Sequence, residues 1–284
     1  MIPTSFDYQR ATSLDDAIAK LTAAGGGAKL LAGGHSLVPL MKLRLSEPSL
    51  LIDIARIPGL SGIREKGGKI EIGAATVHHD VATSALLLDK CPALAETAAT
   101  IGDPQVRNRG TMGGSLAHAD PAADYPGMLV ALDAEIHLKG TEGWRAVKAS
   151  DFFQALFTVD LRPDEIIAGV QFTPQRAAAY AKLHQRASHF AIVGVGASLD
   201  VSGGTITAAR VGLTGASTHA MRLANVEAAL AGKPLSDATI ASASAVAGDG
   251  IDDLNADIHA SADYRRAMIK VFTARALKEA AARM

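Results

Sequence analysis

Residues Lys29–Arg44 read KLLAGGHSLVPLMKLR, and residues Asn108–Asp124 read NRGTMGGSLAHADPAAD. Each places two adjacent glycines, Gly33-Gly34 and Gly113-Gly114, beside small hydroxyl residues. Glycine pairs admit positive φ and clear side chains from the backbone's path. Successive N–H groups can then converge into an anion-binding nest. Ser36, Thr111 and Ser115 add neutral donors, and helix N-termini add partial positive charge, so no lysine is required. Two such turns could hold the two phosphates of one pyrophosphate from opposite sides. On physics alone the pair reads equally well as two tight turns. The nest reading expects Gly33→Val and Gly114→Val to abolish binding, through positive φ and intrusion on the ligand.

Outward from the first stretch, SLDDAIAKLTAA (Ser13 to Ala24) reads as a helix capped by Ser13, with Asp15 and Asp16 in its first turn and Ala17, Ile18 and Leu21 on one face. Gly25-Gly26-Gly27 ends it. AKLLAGG is a short buried strand running into the first turn, and PSLLIDIARI is a second strand stopped by Pro58-Gly59. Lys69–Gly73 alternates as a strand and leads to a helix starting near Val77. Pro92 opens a further helix in CPALAETAATIG. AEIHLKGTEGWRAVK is a hairpin turning at Thr141-Glu142-Gly143, and DEIIAGVQF is a strand closed by Pro174. Beyond Pro174 the pattern changes to strand, strand, Gly203-Gly204 turn and strand. Helices in THAMRLANVEAALAGK, SDATIASASAVAG and SADYRRAMIKVFTARALKEAAARM follow. Strands followed by helices indicate a separate α+β unit. Boundaries fall near 57 and 175, giving segments 1–57, 58–174 and 175–284.

The 284 residues suffice for one large or two to three small domains. A net charge of −1 without a Lys/Arg block argues against a nucleic-acid groove or a basic membrane face. No basic flank with an apolar core opens the chain, and no apolar run is long enough to span a bilayer. The expected compartment is the cytoplasm. A single cysteine, Cys91, excludes an internal disulfide and a cysteine-ligated iron–sulfur cluster.

Several motifs fail. No G-x-x-x-x-G-K-[ST] is present. GVGASL (Gly194–Leu199) has Leu199 where a dinucleotide fingerprint needs its third glycine, and it continues into a strand. GHSLV has Val38 where a nucleophile elbow needs glycine. His78-His79-Asp80 reads as a solvated helix start rather than a metal site, since no third ligand stands at a fixed spacing. His118, Asp120 and Asp124 form a better ligand set, although Asp beside Pro121 also caps turns for structural reasons.

AGGHSLVPLMKLRLSEPSLLIDIARIPGL (32–60) and IGDPQVRNRGTMGGSLAHADPAADYP (101–126) together resemble the FAD-binding medium subunits of the molybdenum hydroxylases, in the branch of aerobic carbon monoxide dehydrogenase and xanthine dehydrogenase. LRPDEIIAGVQF and KLHQRASHFAIVGVGASL extend the resemblance over nearly the whole chain. It implies an α+β fold, with a two-subdomain FAD-binding domain of the PCMH type followed by a C-terminal domain of a small sheet plus helices. It implies that Ala32, Gly33, Gly34, His35 and Ser36, and Thr111, Gly113, Gly114 and Ser115, hold the FAD pyrophosphate. It further implies that Lys29, Leu30, Leu31 and Leu37 line the cofactor around the first turn. Ile101, Gly102, Val106 and Gly110 approach it before the second. Ala117, His118 and Asp124 follow, with Asp124 on an adenosine ribose hydroxyl, and Lys182 lies near the isoalloxazine. Ser115 departs from the aspartate of many relatives, keeping a hydrogen-bonding group without the charge.

The implied enzyme has three kinds of chain, assembled as a dimer of heterotrimers. A large subunit carries the molybdenum cofactor, a small subunit carries two [2Fe–2S] clusters, and this FAD subunit passes electrons to an external acceptor. No catalytic acid–base residue and no metal ligand is expected in this chain, since the flavin supplies the redox chemistry. The substrate is selected elsewhere, and the lack of a nicotinamide fingerprint favours quinone or oxygen as acceptor. Two alternatives stand beside this reading: a free-standing flavin oxidase linked through His35, and a metal-dependent hydrolase using His118, Asp120 and Asp124.

Overall fold

Ser13 starts the first helix as its residue type predicts. In the computed structural model, which describes residues 1–284, α1 runs Leu14–Ala23. The Ser13 hydroxyl accepts the Asp16 N–H at 3.1 Å, and Ala17 and Ile18 form the buried face. A cap of this kind contributes about 1 kcal/mol. Beside α1 lies a parallel sheet of β1 (Asp7–Arg10), β2 (Ala28–Leu31) and β3 (Leu50–Asp53), in the order β1-β3-β2. All four residues of β1 are exposed, so no alternation announces it in the sequence. A short helix also follows the first glycine pair, α2 (Leu37–Lys42). Its Pro39 falls in the first turn, where a missing N–H costs nothing.

The middle segment is built on a five-stranded antiparallel sheet of order β4-β5-β10-β6-β7. Its strands are β4 (Ile63–Lys66), β5 (Lys69–Gly73), β6 (Glu135–Gly140), β7 (Gly143–Lys148) and β10 (Ile166–Phe172). β8 (Phe153–Ala155) and β9 (Thr158–Val159) form a separate small ribbon. The expected hairpin is present, with Gly140 opposite Gly143 across a two-residue loop. Between β5 and β6 lie α3 (His78–Thr83), α4 (Ala85–Lys90), α5 (Pro92–Ala99), α6 (Pro104–Arg107), α7 (Met112–His118) and α8 (Asp124–Ala131), and α9 (Ala149–Phe152) follows β7. The Asn108–Asp124 stretch is therefore more helical than its glycines and proline suggest. Gly113-Gly114 lies inside the first turn of α7, and the chain turns only at Ala119, whose φ is +48°.

The last segment pairs β11 (Ala178–His184), β12 (Ala191–Ser202), β13 (Thr205–Thr214) and β14 (Met221–Arg222) in an antiparallel sheet. Gly203 and Gly204, at φ +55° and +77°, make the two-residue turn between β12 and β13, the type I′ geometry that matches strand twist. α10 (Ala224–Leu230) and α12 (Ala262–Ala282) cover this sheet, and α11 (Asp237–Ala245) packs against both of them.

α8 joins the two larger cores. Every one of its residues is buried, so it has no polar face and no helical period to read. It fits because the sheet beneath is stripped of side chains. A Cβ on Gly196 would lie 2.9 Å from the Gly127 carbonyl oxygen, and one on Gly212 would lie 3.1 Å from Ala131 N and closer still to that oxygen. Gly196 of GVGASL thus serves close helix–sheet approach, while Gly194 makes room for the Tyr180 and Thr214 side chains.

Candidate functional site

The segment leaving β2 passes directly over the segment leading into α7. A Cβ on Gly33 would stand 2.8 Å from the Arg109 carbonyl carbon and 2.9 Å from Gly110 Cα, with the Arg109 oxygen nearer still. Gly34 has φ +74° and turns the chain into α2. The N–H groups of Gly33, Gly34, His35, Ser36 and Leu37 have no acceptor within the protein. The Ser36 and Ser115 hydroxyls likewise make no protein hydrogen bond, although Ser36 sits at the N-cap of α2. Such a run of donors at a half-buried turn is a nest for an anion.

The second glycine pair lines the cleft as well, and its glycines also serve close packing of α7. Thr111 caps α7, its Oγ1 accepting the Gly114 N–H at 3.1 Å. Met112 N–H donates to Thr76 O at 2.9 Å and Gly113 N–H to Ala74 O at 2.8 Å. A Cβ on Gly113 would fall 2.5 Å from Ala74 Cβ, and one on Gly114 2.7 Å from Thr111 Oγ1. Neither glycine of this pair has positive φ, and neither does Gly33. The positive-φ argument therefore holds at Gly34 alone. Gly33 is required by backbone contact, and the second pair by close packing of α7.

The cleft between these segments encloses about 480 Å³, within the usual range of ligand sites. Its wall contains all the expected contact residues except Lys182. Lys182 is turned inward: its Nζ donates to Asp124 Oδ2 at 2.8 Å and to Thr100 O at 3.2 Å, and its side chain is only 5% exposed. Tyr180 donates to the other oxygen, Asp124 Oδ1, at 2.6 Å. Burial raises the Asp124 carboxyl, against the pull of Lys182 and Tyr180. Both carboxylate oxygens are thus engaged within the protein. Asp124 thus anchors a buried pair between α8 and β11 at the edge of the cleft it helps to line.

Three groups escape the sequence reading. His78 is buried rather than solvated, and only its neighbours His79 and Asp80 are exposed. It lines the cleft, its Nδ1 lies 3.1 Å from the Tyr125 hydroxyl, and burial, reinforced by the charges of His35 and Arg107, lowers it to about 4. The spacing to buried Val81, three residues on, is the signal that could have placed it inward. Ser188, His189 and Phe190 also line the cleft, reaching in from the loop between β11 and β12. His189 Nδ1 lies 3.1 Å from Gly102 O, and its φ is +62°. Nothing local in the sequence marks this contact. Leu161, Ile166 and Ile167 supply apolar wall from the β10 side.

His118, Asp120 and Asp124 do not assemble into a metal-holding group. Asp120 accepts the Ala122 N–H at 2.8 Å in a local turn, His118 packs on Phe157 at 5.3 Å between ring centroids, and Asp124 is paired with Lys182. The hydrolase alternative falls on these engagements. What the site offers is a neutral-to-positive backbone cradle, free hydroxyls and apolar walls. A phosphate-bearing ligand that extends along the apolar walls suits such a cradle.

Two family profiles cover the chain: the FAD binding domain in molybdopterin dehydrogenase matches residues 4–175, and the CO dehydrogenase flavoprotein C-terminal domain matches residues 178–280. The chain belongs to the FAD-binding medium subunits of the molybdenum hydroxylases. It is 40% identical over 286 residues to the carbon monoxide dehydrogenase medium chain of Hydrogenophaga pseudoflava, covering 100% of this chain and 99% of that one. It is also 40% identical over 285 residues to the 6-hydroxypseudooxynicotine dehydrogenase complex subunit alpha of Paenarthrobacter nicotinovorans, covering 99% and 96%. The solved carbon monoxide dehydrogenase of H. pseudoflava superposes with a TM-score of 0.95, at 40% identity and 100% and 99% coverage. The quinoline 2-oxidoreductase of Pseudomonas putida 86 superposes at 0.92, at 32% identity and 100% of both chains. The expected fold class holds: a PCMH-type FAD-binding domain followed by the C-terminal domain of this medium-subunit family. The chain is an FAD-carrying oxidoreductase subunit, and the free-standing oxidase reading gives way to it.

Proposed function

We propose that this chain is the electron outlet of a three-chain molybdenum hydroxylase. Electrons released at a molybdenum cofactor in a large subunit reach it through the [2Fe–2S] clusters of a small subunit and leave for an external acceptor. The observation that carries the cofactor placement is the run of acceptor-free N–H groups from Gly33 to Leu37, held against the Arg109–Gly110 backbone. When bound, FAD supplies the two-electron and one-electron redox chemistry that links such a chain of carriers to its acceptor.

This chain's own residues bind and enclose. Gly33 to Ser36 present donors to the pyrophosphate, and Thr111 and Ser115 face it from the start of α7. Arg107 fixes the approach loop by donating to Ile101 O at 2.9 Å and Gly102 O at 3.2 Å. Ile101, Val106 and the Ser188–Phe190 loop wall the cleft. Lys182 acts through Asp124, on the seam between the two larger cores. Cys91, the one thiol, is buried and pushed up to about 12, so it is inert and supplies no cluster ligand.

Partner subunits follow from the same reading. Relatives of similar length are named for carbon monoxide, 6-hydroxypseudooxynicotine, glyceraldehyde, nicotine, caffeine and xanthine oxidation. One medium subunit accompanies many substrates, which supports substrate choice in the large subunit. We place the assembly as a dimer of heterotrimers in the cytoplasm. No helix is long and apolar enough to cross a membrane. Each of the three main sheets falls within one of the segments 1–57, 58–174 and 175–284, which supports those boundaries as domain limits.

The test is the visible spectrum of the purified chain after incubation with FAD and then acid. Flavin bands whose chromophore is released to the acid supernatant are expected. A chain that takes up no flavin at saturating FAD would overturn the proposal.

A further inference from the structure

Tyr125 and His78 form a pair whose proton arrangement can be deduced. The Tyr125 hydroxyl is fully buried, and the one polar atom within reach is His78 Nδ1 at 3.1 Å. The rings meet edge to face, with centroids 5.2 Å apart. If Nδ1 carried the imidazole hydrogen, the tyrosine oxygen would accept it and the hydroxyl hydrogen would be left in a sealed interior without a partner. Such an orphaned donor is costly. If the hydroxyl donates to Nδ1, every buried group is satisfied and the ring hydrogen must sit on Nε2. Burial and the charge of Asp124 keep Tyr125 protonated, and burial with the charges of His35 and Arg107 keeps the imidazole neutral.

Nε2 has no protein partner, yet it is not sealed from solvent. His78 lies on the cleft wall, and a Cβ on Gly110 would sit 2.6 Å from Nε2, so that glycine leaves the ring edge uncovered. The ring is also tied to the second motif through its own backbone, His78 N–H donating to Gly110 O at 2.9 Å.

We propose that Tyr125 locks His78 in the Nε2–H tautomer and that this N–H donates a hydrogen bond to an acceptor atom of FAD bound in the cleft. The proposal rests on the cleft being the FAD site, and it adds a neutral, pre-oriented side-chain donor to the backbone cradle. Because the donor is neutral, it recognises an oxygen or ring nitrogen by direction rather than by charge.

The experiment uses the full chain with 15N-labelled histidine. Long-range 1H–15N spectra at neutral pH should show His78 as the neutral Nε2–H form, with its Nε2 resonance moving on addition of FAD. Flavin fluorescence titration should show His78→Phe binding FAD about tenfold more weakly than wild type, the scale of one lost hydrogen bond. His78→Gln, which keeps an N–H donor, should recover part of that loss. Tyr125→Phe keeps the imidazole but removes the lock, and should give a mixture of tautomers and weaker FAD binding. An Nδ1–H form in the wild type, or a folded His78→Phe that binds FAD as tightly as wild type, would overturn the proposal. Should His78→Phe fail to fold, an unchanged tautomer and affinity in Tyr125→Phe would overturn it equally. Wild-type protein that takes up no FAD would instead remove the cofactor reading itself, and this proposal with it.

Discussion

Gly33→Ala separates two explanations for the first glycine pair. Gly33 does not have positive φ, so alanine meets no conformational penalty there. The obstruction is backbone: the Arg109 carbonyl, with its carbon 2.8 Å from the new Cβ, and Gly110 Cα at 2.9 Å. Neither can swing aside as a side-chain tip would. The two segments must part by about half an ångström or more, which in a close-packed region costs on the order of 1–3 kcal/mol. For a protein of this size that corresponds to a melting temperature lower by roughly 2–12 °C, taking about 2–4 °C per kcal/mol. The same separation moves the Gly33–Leu37 donors away from the α7 side of the cleft, so FAD affinity should fall by about tenfold or more, the scale of one or two lost hydrogen bonds. Scanning fluorimetry with and without FAD, together with flavin titration, reads both effects. Gly34→Ala is the control: its Cβ would meet only the Leu31 and Val38 side chains at 3.2 Å, and its cost comes from φ +74°. A Gly33→Ala protein with wild-type melting temperature and FAD affinity would refute the backbone-contact argument.

Three further outcomes follow from buried groups. Lys182→Met leaves Asp124 buried without its partner, and urea unfolding should show a loss of about 3–5 kcal/mol, largely restored in the Lys182→Met/Asp124→Asn double variant; additive losses would contradict a coupled pair. His78 is a base held from its ordinary 6.5 down to about 4, so the unfolded chain binds its proton first. Its stabilising contribution is complete above 6.5 and is lost as pH falls toward 4, at about 1.4 kcal/mol per pH unit. Between pH 6.5 and 5 the wild type should therefore lose roughly 2 kcal/mol more than His78→Gln, as measured by denaturant unfolding; parallel pH profiles would mean that the ring is not buried neutral. Gly212→Ala drives a methyl group into the Gly127 carbonyl under α8 and should lower stability by on the order of 1–3 kcal/mol, with a matching drop in melting temperature.

The parts of the fold legible in the sequence are those whose burial is one-sided. α1 shows its cap, its acidic first turn and its apolar stripe, and β6 alternates cleanly between sheet faces. The parts that were not legible are buried on every side or on none. β1 is wholly exposed and pairs with a strand some forty residues away. α8 is wholly buried and carries Pro126 and Gly127, two residues that argue against a helix until the flat glycine surface of β12 and β13 is in place. Its sequence is permissible only because a segment about seventy residues later accommodates it.

The site divides along the same line. The residues that the resemblance names around the two glycine motifs line one cleft, because a chain that wraps a cavity with its backbone brings consecutive residues to it. Side chains that act from a distance are less legible, because their partners are set by the tertiary fold. Lys182 is placed near the isoalloxazine by resemblance alone; in the structure burial makes a partner compulsory, and Asp124 satisfies it at 2.8 Å within the protein. His78 sits in a polar-looking His-His-Asp run, yet it faces inward, because Tyr125 lies 3.1 Å away and needs an acceptor for a hydroxyl that water cannot reach. In both cases the decisive quantity is the hydrogen-bond satisfaction of a buried partner some fifty residues distant. Local pattern records which residues could enter the interior. The tertiary partner decides whether they do, and Tyr125→Phe, by removing that partner while leaving the His78 run intact, is the substitution that separates the two.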